Sequence, residues 1–67
     1  MSENNKIELT QLKTKIAKRL NEGESRKMIA DAEGMSVNTV HAHCREMFRM
    51  YGVHSVTAFL NHWRKTS

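Results

Sequence analysis

The 67-residue sequence predicts an all-α domain of four short helices, and three observations predict it. Apolar residues recur at three- and four-residue spacing in four successive segments, the period of a helix with one buried face. A serine or threonine heads each segment and a glycine follows each of the first three, where helix ends need a side-chain acceptor and a left-handed residue respectively. No stretch alternates apolar with polar residues as a half-buried strand does, and the chain contains no proline.

The first segment carries Leu9, Leu12, Ile16 and Leu20, with Thr10 as N-cap and Gly23 at its close. Lys13, Lys15, Lys18 and Arg19 fall on its remaining faces, which suits a solvated surface. The second starts from Ser25, runs through Met28, Ile29 and Ala32, and ends near Gly34. The third opens at Ser36 and sets Val40, Cys44, Met47 and Tyr51 on one stripe before Gly52. The fourth opens at Ser55 and carries Val56, Phe59, Leu60 and Trp63, then ends on Arg64-Lys65, cations that suit the negative pole of a helix. Met28, Met35, Met47 and Met50 read as core filler and Cys44 as a buried small hydrophobe. Residues 1–8 are polar and aperiodic, which predicts a flexible arm ahead of a domain over 9–67.

Composition narrows the function. A chain this short holds one small core and cannot enclose a substrate, and it offers no glycine-rich phosphate loop, no paired-carboxylate cleft and no nucleophile with a base at usable spacing, so no enzyme is expected. One cysteine forms no intrachain disulfide. His41, His43, His54 and His62 lack the cysteine or carboxylate companions of a zinc site, so neither metal nor cofactor is expected. No apolar run reaches the length of a membrane span or a signal-peptide core, which predicts a cytoplasmic protein with no membrane partner. A formal charge of +4 favours a polyanionic partner.

The stretch from Ser25 to Tyr51, a short helix, a turn Glu33-Gly34-Met35-Ser36 and a longer helix, has the form of a helix-turn-helix, whose second helix is narrow enough to enter the DNA major groove. Leu9-Thr10, Glu22-Gly23, Ser25, Lys27, Ile29-Ala30, Gly34-Met35-Ser36, Thr39-Val40, His43, Phe48, Gly52-Val53, Ser55 and Thr57 together resemble the LuxR-type (GerE-like) DNA-binding domain over about residues 9–62. That family is a four-helix fold whose third helix reads DNA and whose fourth commonly makes dimer contacts. The resemblance implies base contacts from His41, Ala42 and Arg45, phosphate contacts from Lys27, Asn38, Thr39 and Arg49, and an interface on Val56, Phe59, Leu60 and Trp63. Periodicity separately turns positions 38, 41, 42, 45 and 49 away from the apolar stripe.

The chemistry of these residues fits such a role. Arg45 can donate two hydrogen bonds to guanine, Asn38 suits adenine or a phosphate, and Ala42 offers a methyl contact to thymine. His41 stands where the family often has lysine, so affinity is expected to weaken as pH rises. His43, beside the stripe, is expected to orient the helix. Glu33 stands where the family usually has leucine and must therefore reach solvent or pair with a lysine. The family's domain normally ends a longer regulator; here only the arm precedes it, so a stand-alone domain is expected, without control by a small molecule or phosphorylation within the chain. The expected function is a sequence-specific transcriptional regulator that binds duplex DNA as a homodimer through the fourth helix and associates with the nucleoid. The alternatives are an anti-activator that binds and blocks a full-length LuxR-type regulator, and an adaptor joining a larger complex.

Overall fold

A computed structural model describes residues 9–66, and the arm expected over 1–8 lies outside the described residues. Four helices follow in order: α1 Gln11–Asn21, α2 Arg26–Glu33, α3 Val37–Tyr51 and α4 Val56–Thr66, with no strand among the described residues. Each begins where a hydroxyl oxygen accepts from a first-turn backbone N–H that has no partner within the helix. Thr10 Oγ1 accepts from Lys13 at 3.2 Å, Ser25 Oγ from Met28 at 3.2 Å, Ser36 Oγ from Thr39 at 3.1 Å and Ser55 Oγ from Ala58 at 3.1 Å.

The helix ends are equally local in origin. Gly34 takes φ +69°, a conformation that costs other residues, and turns the chain so that the Met35 N–H donates back to the Ala30 carbonyl at 3.0 Å. Gly52 closes α3 in the same way at φ +66°, with Val53 donating to Phe48 at 2.9 Å. Two residues after each glycine, the chain is again capped by serine or about to be, so α2, α3 and α4 are separated by only a few residues.

The core draws on all four helices: Ile16, Ala17 and Leu20 from α1, Ile29 and Ala30 from α2, Val40, Cys44, Met47 and Tyr51 from α3, Phe59 and Leu60 from α4. The ring of Phe59 lies against Tyr51 edge-on, with centroids 4.9 Å apart, and against Phe48 at 5.6 Å. Phe59 and Leu60, expected at a partner contact, are buried within the protomer, Phe59 against the aromatic end of α3. Val56 and Trp63, at the two ends of the stripe, are half-buried on the rim of the core.

Two further expectations change. Met47 is buried and Met35 packs against the core, but Met28 and Met50 are 54% and 41% exposed and fill nothing. In α2 the buried pair is Ile29-Ala30, while Met28 and Ala32 face outward. Glu33 finds its partner in arginine rather than lysine: the Arg19 Nε donates to its carboxylate at 2.9 Å, and Arg19 also reaches Glu24 at 3.3 Å. These carboxylates, Glu33 first, hold the Arg19 guanidinium still more firmly protonated, and the pair ties α2 to α1.

Candidate nucleic-acid interface

The short α2, the turn at Gly34-Met35-Ser36 and the longer α3 form one unit, and no pair of helices in the fold touches more extensively than α2 and α3. The turn is fixed at its exit by Ser36, whose hydroxyl also lies 2.8 Å from that of Thr39. Because Val40, Cys44, Met47 and Tyr51 are drawn into the core, the opposite side of α3 is left to solvent. Asn38, Thr39, His41, Ala42, Arg45, Glu46 and Arg49 are all exposed there. From Asn38 to Arg49 this face runs roughly 16 Å at a rise of about 1.5 Å per residue, the scale of a few base pairs.

The expected site residues do not form one cluster. Asn38, Thr39 and Ala42 line a shallow hollow on the α1 side of α3 together with His43 and Glu46. Arg45 and Arg49 line a second hollow with Phe48, Val53 and His54. His41 lines neither, and Lys27 lies apart on the exposed first turn of α2. The ridge between the hollows therefore presents methyl, amide and carboxylate groups on one flank and guanidinium groups on the other. His54 joins the basic flank through the loop after Gly52, a placement its sequence neighbours do not reveal.

The largest surprise is electrostatic. Lys13 of α1 reaches across to α3, where its Nζ lies 2.9 Å from Glu46 Oε1 and 3.2 Å from His43 Nδ1. Lys13 is only 13% exposed and Glu46 is 61% exposed. Hydrogen bonding to Lys13, aided by its charge, holds the Glu46 carboxyl below its ordinary range, so it is an anion at neutral pH. Nδ1 of His43 accepts from Lys13 when Nε2 carries the ring proton. One of the α1 cations read as solvated surface thus braces the exposed helix, and sequence reasoning passed over Glu46 altogether. The available signal was an acidic residue on an otherwise basic outward face.

Burial pushes the Cys44 thiol up, against a smaller opposing pull from Arg26, which disfavours the reactive thiolate. Among the described residues no three His, Cys, Asp or Glu side chains gather as a metal site would, and no helix is long and apolar enough to cross a membrane.

No curated protein and no solved structure matches the chain. The family described as bacterial regulatory proteins, luxR family, matches residues 8–62, which takes in the α2–turn–α3 unit, α1 and most of α4. The helix-turn-helix of that family is a DNA-binding, transcription-regulating unit, and the chain, matched over most of its length, belongs to the luxR family of bacterial regulatory proteins.

Proposed function

We propose that the protein binds duplex DNA sequence-specifically, with α3 in the major groove, and that it does so in the cytoplasm as a homodimer on two half-sites. The observation that carries this reading is the exposure of Asn38, His41, Ala42, Arg45 and Arg49 on the side of α3 away from its buried stripe. Arg45, His41 and Ala42 are the base-contacting groups: a forked donor for guanine, an imidazole and a methyl. Lys27, Asn38, Thr39 and Arg49 supply phosphate contacts that set register without reading sequence. Val56 and Trp63, half-buried on the rim, offer a second copy the apolar edge of α4. Two α3 helices held in this way read half-sites about 34–36 Å apart, one turn of the duplex.

The test is selection of binding sites from a random duplex pool, followed by comparison of Arg45→Ala and Trp63→Ala on the selected site. Arg45→Ala is expected to cost about 1–3 kcal/mol and to relax preference at one base pair. Trp63→Ala is expected to weaken binding to paired half-sites while leaving a single half-site unchanged. A protein that enriches no sequence at low salt refutes the reading. A second reading, an anti-activator that binds and blocks a full-length luxR-type regulator, is favoured by the exposed apolar side chains Met28, Val37 and Met50, which phosphates do not use. Capture of such a regulator by protein that ignores duplex DNA selects it.

A further inference from the structure

We infer that Glu46 is a specificity-determining residue of the α3 face, reading the exocyclic amino group of a cytosine, and that Lys13 is the positioning residue that aims it. The inference rests on α3 being the DNA-reading helix. Glu46 sits one turn beyond Ala42 on the same hollow and three residues before Arg49, so it lies within the surface the groove would cover.

A carboxylate there is costly unless it has a task. Facing phosphates it repels, and facing the acceptor atoms of guanine it finds no donor. The base-edge group in the major groove best matched to it is the amino group of cytosine. Lys13 makes the arrangement tolerable and definite. Its ammonium, anchored on α1 and largely shielded from solvent, takes Oε1 at 2.9 Å, while the 61% exposure of the side chain leaves the rest of the carboxylate open. The ion pair offsets the charge as seen by the phosphates and removes rotamer freedom that an isolated glutamate would lose on binding. His43 holds Lys13 from the other side at 3.2 Å, and Arg49 adds a weaker favourable field on the same helix. The trio spans α1 and α3, so the aim of Glu46 is set by the fold and not by α3 alone.

The experiment is site selection from a random duplex pool with wild type, Glu46→Gln, Glu46→Ala and Lys13→Met, with thermal melting of each protein alongside. Wild type is expected to require a C·G pair at one position. Glu46→Ala is expected to cut that requirement by about tenfold or more while raising affinity for unrelated duplex, since a negative charge has gone. Glu46→Gln, which has donors as well as an acceptor, is expected to shift the preferred base toward adenine. Lys13→Met, which keeps the packed stem, is expected to weaken the C·G requirement and to lower affinity for all duplexes, with Lys13→Arg restoring both; a purely structural Lys13 leaves base preference untouched. A wild-type protein that selects no site removes the DNA reading and this inference with it. One that selects a site whose profile is the same in Glu46→Ala removes this inference alone. Glu46 is exposed, so its variants remain informative even where Lys13→Met unfolds.

Discussion

Phe59 separates two accounts of α4, because a core residue and an interface residue fail differently when truncated. Its ring is fully buried, packed edge-on to Tyr51 at 4.9 Å and tilted against Phe48 at 5.6 Å. Truncation to alanine removes the transfer energy of the ring, two aromatic contacts of about 0.5–1.5 kcal/mol each, and leaves a cavity, together about 3–5 kcal/mol. A domain of 67 residues has in all about 3–10 kcal/mol of stability at about 0.05–0.15 kcal/mol per residue. Phe59→Ala is therefore expected to lower Tm by more than about 10 °C, or to leave the chain unfolded at room temperature, at about 4–8 °C per kcal/mol for a domain of this size. Thermal melts followed by far-ultraviolet circular dichroism read this directly, at two protein concentrations a hundredfold apart. A loss of under about 5 °C, or a loss that appears only at the higher concentration where dimer forms, refutes the placement of Phe59 in the core of one protomer.

Three other outcomes follow from the same geometry. Gly34→Ala meets no atom within 4 Å of the new Cβ, so its cost is the left-handed backbone alone, about 1–2 kcal/mol by chemical denaturation, and a larger loss points to a tighter turn. Lys27→Ala is expected to weaken all duplexes alike and to reduce the slope of log affinity against log salt by about 1 per protomer, with base preference unchanged. Glu46 has its carboxyl pKa lowered in the fold, so the stability it contributes is present above the ordinary value of 4.5 and is lost as pH falls through the lowered folded value. Melting temperatures of wild type and Glu46→Gln should accordingly differ at neutral pH and converge in acid; a gap that widens in acid contradicts the Lys13 pairing.

The helices were legible in the sequence because their limits are set locally. Each hydroxyl cap and each closing glycine acts on a neighbour three to five residues away, and Thr10, Ser25, Ser36, Ser55, Gly34 and Gly52 all act where the sequence pattern places them. The α3 stripe was legible too, since four turns of helix leave one register for Val40, Cys44, Met47 and Tyr51. In α2, with two turns, that discrimination fails: Met28, Ile29 and Ala32 form as plausible a face as Ile29-Ala30, and packing against α1 and α3 decides. The α4 stripe was visible, but periodicity does not say whether a partner is within the protomer or outside it, and Phe48 and Tyr51 settle that for Phe59. The ion pairs Arg19–Glu33 and Lys13–Glu46 join residues on different helices and leave no local trace.

Those ion pairs bear on how strongly the protein holds DNA. Of the four α1 cations, Lys13 and Arg19 are turned onto Glu46, Glu33 and Glu24, while Lys15 and Lys18 are exposed. On the proposed contact surface the cations available to phosphates are Lys27 and Arg49, since Asn38 and Thr39 carry no charge. Two cations release roughly two counterions, so between 50 and 200 mM salt a single protomer loses only about tenfold in affinity, while a pair bound side by side loses about a hundredfold or more. A shallow slope means a weak electrostatic contribution to start from. One α3 helix, with a few base contacts and so little phosphate attraction, is poorly placed to hold a site alone at physiological salt. Joining two copies along the rim of α4, as proposed above, would double the phosphate contacts without adding nonspecific charge to either, and would make Val56 and Trp63 as necessary to DNA recognition as Arg45.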